Sequence, residues 1–243
     1  MPVTPMMQQY LDMKEQYSDC ILMFRLGDFY EMFFEDAAIA SRELEIALTG
    51  RDCGLEERAP MCGVPYHAVG GYVSRLIANG HKVAICEQME DPTLAKGIVK
   101  REVIRVVTPG TVTDSAMLDE KKNNYLVSIY AKGHLYGFAV VDVSTGEFLT
   151  TRITWGNTFN KLLDETAKYS PAEIITNRTL YSNTEFVNNL KKRFNSYISP
   201  LDDQYFGYEF ASGTISNLLG EGALPEETAE LCVNASGALL YYL

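Results

Sequence analysis

CILMFRLGDFYEMF, running from Cys20 to Phe33, is the stretch on which the fold of the first half turns. CILMFRL is an almost continuous apolar run, short enough for a buried strand. Gly27-Asp28 is turn chemistry. In extended backbone beyond that turn, residues i and i+2 point the same way, so Phe29 and Glu31 would be presented together, a flat apolar ring beside a carboxyl group. A helix is expected from Met32 to Leu44, where Phe33, Ala37, Ala40 and Leu44 form an apolar stripe. Upstream, Met6, Tyr10, Met13 and Tyr17 share a helical face, with Thr4 at the N-cap position and Pro5 at the first helical position. Downstream, residues 50–59 read as a polar loop, and a helix is expected from Val69 to Asn79 with Gly80 placed to end it. Strands follow at Lys82 to Cys86 and Glu102 to Val107.

Residues 108–124, TPGTVTDSAMLDEKKNN, concentrate turn-forming residues. The expected division is a first domain over 1–112, a linker over 113–124 and a second domain over 125–243. The second half opens with strands at Tyr125 to Ala131, Leu135 to Asp142 and Glu147 to Ile153, joined by turns at Lys132-Gly133 and Ser144-Thr145-Gly146. Helices at Thr158 to Tyr169 and Thr184 to Phe194 alternate with strands at Glu173 to Thr176 and near Tyr197, the pattern of a layered α/β domain. Residues 225–243 read as helical to the last residue, as expected of a chain that stops inside a larger protein.

The composition is 47% hydrophobic, enough for a real core, and no apolar run approaches the ~20 residues of a membrane span. The amino terminus lacks the basic cap and apolar stretch of a signal peptide. Cys20, Cys53, Cys62, Cys86 and Cys232 include no CxxC pair and are expected to be buried, reduced thiols of a cytoplasmic protein, with no metal bound. The net charge is −11, and both halves are acidic: −6 over residues 1–115 and −5 over the remainder. That balance lacks the basic character of most DNA-binding domains and predicts weak DNA binding at best, since few phosphates can be neutralised.

Phe29-Tyr30-Glu31, in the frame LGDFYEMFFEDA, resembles the Phe-X-Glu motif of the MutS family of mismatch-recognition proteins. APMCGVPYHA (Ala59 to Ala68), VAICEQMEDP (Val83 to Pro92) and VIRVVTPGT (Val103 to Thr111) continue the resemblance in the same order. The resemblance implies an α/β and α+β chain: a mixed-sheet mismatch-recognition domain, then a ribonuclease-H-like connector domain. It implies recognition of mispaired or unpaired bases in duplex DNA for mismatch repair, with Phe29 entering the minor groove as a wedge and Glu31 hydrogen-bonding the mispaired base. Leu26, Arg51, Tyr66, His67, Lys100 and Arg101 are candidates for backbone or flanking contacts, Arg51 foremost because of its LTGR context. The implied partners are double-stranded DNA with a mismatch or small loop, a MutL-like protein through the connector, and a second copy in the full-length protein. No Walker-type GxxxxGK[ST] occurs, so the ATP and Mg of the full-length family protein belong to a part absent from this chain, which would hold no cofactor and act as a binding module without catalysis.

Other readings stand beside these. Phe29 could be a core aromatic and Glu31 a solvated carboxylate. Arg51, Arg58, Arg75, Lys96, Lys100, Arg101 and Arg105 could all be ordinary surface charges, and Tyr66 and His67 could be structural. Asp142, in AVVDVSTGEF, invites a nuclease or phosphotransferase reading; Glu147, across the expected hairpin, and Glu173, on a later strand, make no convincing second and third carboxylate, and Asp142 with Ser144-Thr145-Gly146 could simply build a hairpin turn. A protein-interaction module without a DNA role is the remaining alternative.

Overall fold

A computed structural model describes residues 3–54, 56–90, 97–113, 122–194, 196–225 and 228–243. The chain separates into two compact units, Met1–Pro109 and Gly110–Leu243. Residues 114–121, most of the expected linker, lie outside the described residues, as does Lys96. The Gly110 N–H donates to Glu173 Oε2 (2.9 Å), and Val112 is buried.

The first unit is built on a six-stranded sheet in the order β3-β4-β2-β1-β5-β6, with β1 Cys20–Leu26, β2 Phe29–Phe33, β3 Thr49–Arg51, β4 Ala59–Pro65, β5 Lys82–Gln88 and β6 Arg101–Val107. β1 runs parallel to β5, and every other pairing is antiparallel. Cys20 to Phe24 are buried in succession, as expected of a central strand covered on both faces. Helix α1 (Pro5–Gln16) packs Met7 and Tyr10 over Leu22, Phe24 and Phe33 on one face. Helices α2 (Phe34–Leu44) and α3 (Val69–Ala78) lie against β2, β4 and β5. Buried Asp36 ties these layers together by accepting from the Leu22 N–H (3.0 Å), the Tyr10 hydroxyl (3.1 Å) and Lys14 Nζ (2.9 Å).

Three local expectations are corrected. The helix expected from Met32 starts at Phe34, because Met32 and Phe33 pair with Cys62 and Met61 and extend the strand; Phe34, at φ +53°, makes the break. Residues 50–59 are no continuous loop: Gly50 and Arg51 pair with Pro60 and Ala59. β4 contains Gly63 and two prolines, residues that argue against a strand until partners on both sides supply the ladder. In α1 the fully buried residues are Met7 and Tyr10, while Met6, Met13 and Tyr17 line the margin of the core.

The second unit carries a five-stranded sheet in the order β11-β10-β7-β8-β9. β7 (Tyr125–Lys132), β8 (Leu135–Asp142) and β9 (Glu147–Ile153) form an antiparallel meander. β10 (Glu173–Asn177) and β11 (Tyr197–Leu201) then add in parallel beside β7, giving a ribonuclease-H-like sheet. Leu162, Leu163, Phe186 and Leu190 of α4 (Thr158–Tyr169) and α6 (Thr184–Phe194) pack on Val127, Ile129, Phe138 and Val140. The short α5 (Arg178–Tyr181) links β10 to α6. Ala235 and Leu239 of the last helix, α8 (Glu230–Tyr242), cover Leu126, Ala139, Val141 and Ile175 on the other face. α8 comes so close to β8 that a Cβ on Gly137 would sit 1.9 Å from the Leu231 carbonyl oxygen. Helix α7 (Tyr208–Leu219), which packs Ala211 against Gly237 of α8, had no clear sequence signal, because its Ser212, Gly213, Thr214 and Ser216 are weak helix formers.

Candidate nucleic-acid interface

β1 and β2 are joined by the two-residue turn Gly27-Asp28, closed by the Leu26↔Phe29 pair. Gly27 adopts φ +58°, a left-handed conformation that glycine reaches without strain. Register then sets direction. Phe29 pairs with Leu26 on one side and Pro65 on the other, which makes an apolar row across the end of the sheet. Phe29 and Glu31 share the sheet face that carries Phe24 and Leu26. Phe29 is 46% exposed, whereas Tyr30, pointing the other way, is buried. Phe29 is therefore no core aromatic. Leu26, partly buried, borders the ring at the strand end.

Glu31 is half-buried between Phe24 and Gly63. Its carboxylate is held by Arg51 Nη1 of β3, so two separately chosen candidates meet in an ion pair. A Cβ at Gly63 would stand 3.5 Å from Glu31 Cγ, so the β4 backbone passes within van der Waals reach of the Glu31 side chain.

The remaining candidates diverge. Lys100 is exposed and paired with Glu102 (2.6 Å), which raises its pKa. Arg101 is 6% exposed and turned inward, which corrects the expectation of a surface contact. It donates to the carbonyls of Arg25 (2.7 Å) and Val99 (2.9 Å) and to Gln9 Oε1 (2.9 Å), and lies 4.9 Å from the Phe24 ring. Burial lowers its pKa. His67 is exposed and meets Tyr66 edge-on at 5.7 Å. Tyr66 is exposed too, and its backbone N–H donates to the Asp28 carbonyl (2.9 Å).

Sequence reasoning missed Arg25. Its guanidinium carbon lies 3.9 Å from the Tyr66 ring centre and 5.5 Å from that of Tyr30. Nη1 is 3.4 Å from Glu87, and the Nε–H donates to the Gly27 carbonyl (2.5 Å). Glu87 also accepts from the Tyr30 hydroxyl, and burial together with that bond pushes the Tyr30 pKa up to about 12. A charge inside an otherwise apolar strand was the available signal, because such a residue needs partners.

The rival site comes apart in the sheet register. Asp142 pairs with Tyr125 and Glu147, while Glu173 pairs with Leu126, so Glu173 faces the opposite side of the sheet. Asp142 is fully buried, and its Oδ1 accepts from the Ser144 N–H (2.9 Å) and hydroxyl (2.6 Å). Glu147 accepts from the Tyr125 hydroxyl (2.9 Å), and Glu173 from the Tyr242 hydroxyl (2.6 Å). Among the described residues, no three His, Cys, Asp or Glu side chains are grouped to hold a metal ion, and no helix is long and apolar enough to cross a membrane. The five thiols are buried and free of disulfides, and burial pushes those of Cys20 and Cys86 up to about 12.

Residues 4–116 match the family model of MutS domain I, and residues 124–243 match that of MutS domain II. The chain is 64% identical over 241 residues to proteins named DNA mismatch repair protein MutS from Acetivibrio thermocellus and from Ruminiclostridium cellulolyticum. Those alignments cover 99% of this chain and 28% of each relative. A protein of the same name from Caldanaerobacter subterraneus subsp. tengcongensis is 51% identical over 248 residues, covering all of this chain and 28% of its own length. The chain thus spans little more than a quarter of these relatives. Its two units, with the Phe29-Tyr30-Glu31 hairpin in the first, belong to the MutS family.

Proposed function

We propose that the first unit recognises mispaired or unpaired bases in duplex DNA, as the DNA-reading part of a mismatch-repair protein. One observation carries this reading: Phe29 projects from the end of a sheet beside Glu31, on a short, well-tied hairpin. An apolar wedge pushed into the minor groove unstacks a base step and kinks the duplex, at a cost of a few kcal/mol. A mispaired base is already poorly stacked, so the cost is lowest there. Reading deformability instead of base edges suits a site that must accept many different mispairs.

Glu31 supplies the polar half. In the free protein its charge is compensated by Arg51. At a mispair, the carboxylate exchanges this partner for a base N–H, and Arg51 turns to a backbone phosphate. On intact duplex no base bond repays the lost ion pair, and the carboxylate meets phosphate charge, so the pair opposes binding there. The net charge of −11 makes the affinity of this chain alone low, since few phosphates can be neutralised.

The second unit is a docking module for a MutL-like partner. Pairing with a second copy, and ATP with Mg, belong to a longer protein carrying these two units, which works in the cytoplasm. The chain itself is a binding module. The test is titration of this chain, at low salt and with or without Mg²⁺, against labelled duplexes that are matched, mispaired or carry a small loop. Tighter binding to the mispaired and looped duplexes without cleavage is expected. Cleavage would revive a nuclease centred on Asp142, and no binding to any duplex would favour an interaction module.

A further inference from the structure

We infer that Arg25 is a positioning residue for the Phe29 ring, clamping the hairpin turn from the face opposite the wedge. The inference rests on the wedge reading of Phe29. A ring driven into a base stack pushes back on the turn that bears it, and a two-residue turn at the end of a sheet opens easily unless it is tied. Both turn carbonyls are tied here. That of Gly27 accepts from Arg25 Nε (2.5 Å), and that of Asp28 accepts from the Tyr66 N–H (2.9 Å). The two ties are themselves joined, because the Arg25 guanidinium lies 3.9 Å from the Tyr66 ring centre. Glu87 fixes the far side of the guanidinium, and Arg101 Nε holds the Arg25 carbonyl at 2.7 Å.

Direction separates this role from contact. Arg25 pairs with Tyr30, so its side chain leaves the sheet on the face opposite Leu26, Phe29 and Glu31. It therefore cannot touch the base on which Phe29 stacks. A planar fork is required, since one group stacks on a ring while bonding a carbonyl and a carboxylate. Lysine would keep the charge beside Glu87 and lose the rest.

The experiment compares wild type, Arg25→Lys, Tyr66→Ala and Phe29→Ala in this 243-residue chain. Three quantities are read: the unfolding midpoint, the affinity for matched and mispaired duplexes, and the fluorescence of 2-aminopurine placed beside the mispair, which brightens on unstacking. In Arg25→Lys the preference for the mispair should fall by about tenfold, with matched-duplex affinity unchanged and the 2-aminopurine signal reduced towards that of Phe29→Ala. Tyr66→Ala, altered at an exposed ring, should retain the fold and move the same way; it decides the matter if Arg25→Lys does not fold. Wild-type preference in both clamp variants, while Phe29→Ala loses it, would overturn the clamp alone. Equal losses on both duplexes would make Arg25 a phosphate contact and also overturn it. Full preference retained by Phe29→Ala would overturn the wedge and the clamp together.

Discussion

Two turns in this molecule carry an aspartate beside a glycine or a Ser-Thr-Gly run, and they use the chemistry in opposite ways. At Asp142 the carboxylate turns inward. It caps its own turn through Ser144, and the Thr145 and Gly146 N–H groups donate to its carbonyl (3.3 and 2.9 Å). At Gly27-Asp28 the turn is held from outside, by Arg25 and the Tyr66 N–H, and the flanking Phe29 ring is left free. A side chain spent on closing its own turn is unavailable for a ligand. A turn closed by its neighbours can present one.

The contrast is first tested at Asp142. Asp142→Ala removes the acceptor of the Ser144 N–H and hydroxyl; Ser144 is exposed, so water takes the place of the carboxylate, and the loss should be about 1 kcal/mol in unfolding free energy. Binding to either duplex should not change. A selective loss of mispair binding would break the comparison by giving this turn a DNA role.

The Glu31–Arg51 pair offers a smaller effect. Glu31→Gln keeps the shape and removes the charge, so matched duplex should bind a few-fold more tightly while mispair binding changes less, and the salt dependence should steepen slightly. Combining it with Arg51→Ala should reveal a coupling in stability of about 0.5–1 kcal/mol, the scale of a partly exposed ion pair. Strict additivity would show that the contact contributes nothing in solution.

Smallest is a pH effect under the turn. The Tyr30 hydroxyl, raised to about 12 by burial and by its bond to Glu87, binds its proton more tightly in the folded state. Its contribution is complete below pH ~10, the ordinary tyrosine value, and is lost as pH rises towards 12. Denaturant titrations should show a shallower loss over that window in Tyr30→Phe. Identical curves would mean that the hydroxyl is not held as described.

The contrast also shows what could be read from residues alone. Segments with a clear apolar pattern were legible: CILMFRL, a continuous run, as a buried strand, the meander of the second unit, and α4 and α6. Segments whose residues disfavour the state they adopt were not. β4 holds prolines and a glycine because β2 and β3 pair with it, and α7 holds weak helix formers because α8 receives it at Gly237. At the site, Phe29 and Glu31 came from a motif, and their common face follows from strand alternation. The meeting of Glu31 with Arg51, the inward turn of Arg101 and the work of Arg25 depend on pairings between strands distant in the chain. The same dependence separates Asp142 from Glu173, which the register places on opposite faces of the sheet.

The most direct test of the wedge is Phe29→Ala, with unfolding free energy and the ratio of mispaired to matched affinity measured on the same preparation. The exposed ring predicts a stability change within about 1 kcal/mol and a ratio that falls to about one. A loss of ~3–5 kcal/mol on unfolding, the range for a buried phenylalanine cut to alanine, or an unchanged ratio in a folded variant, would contradict it.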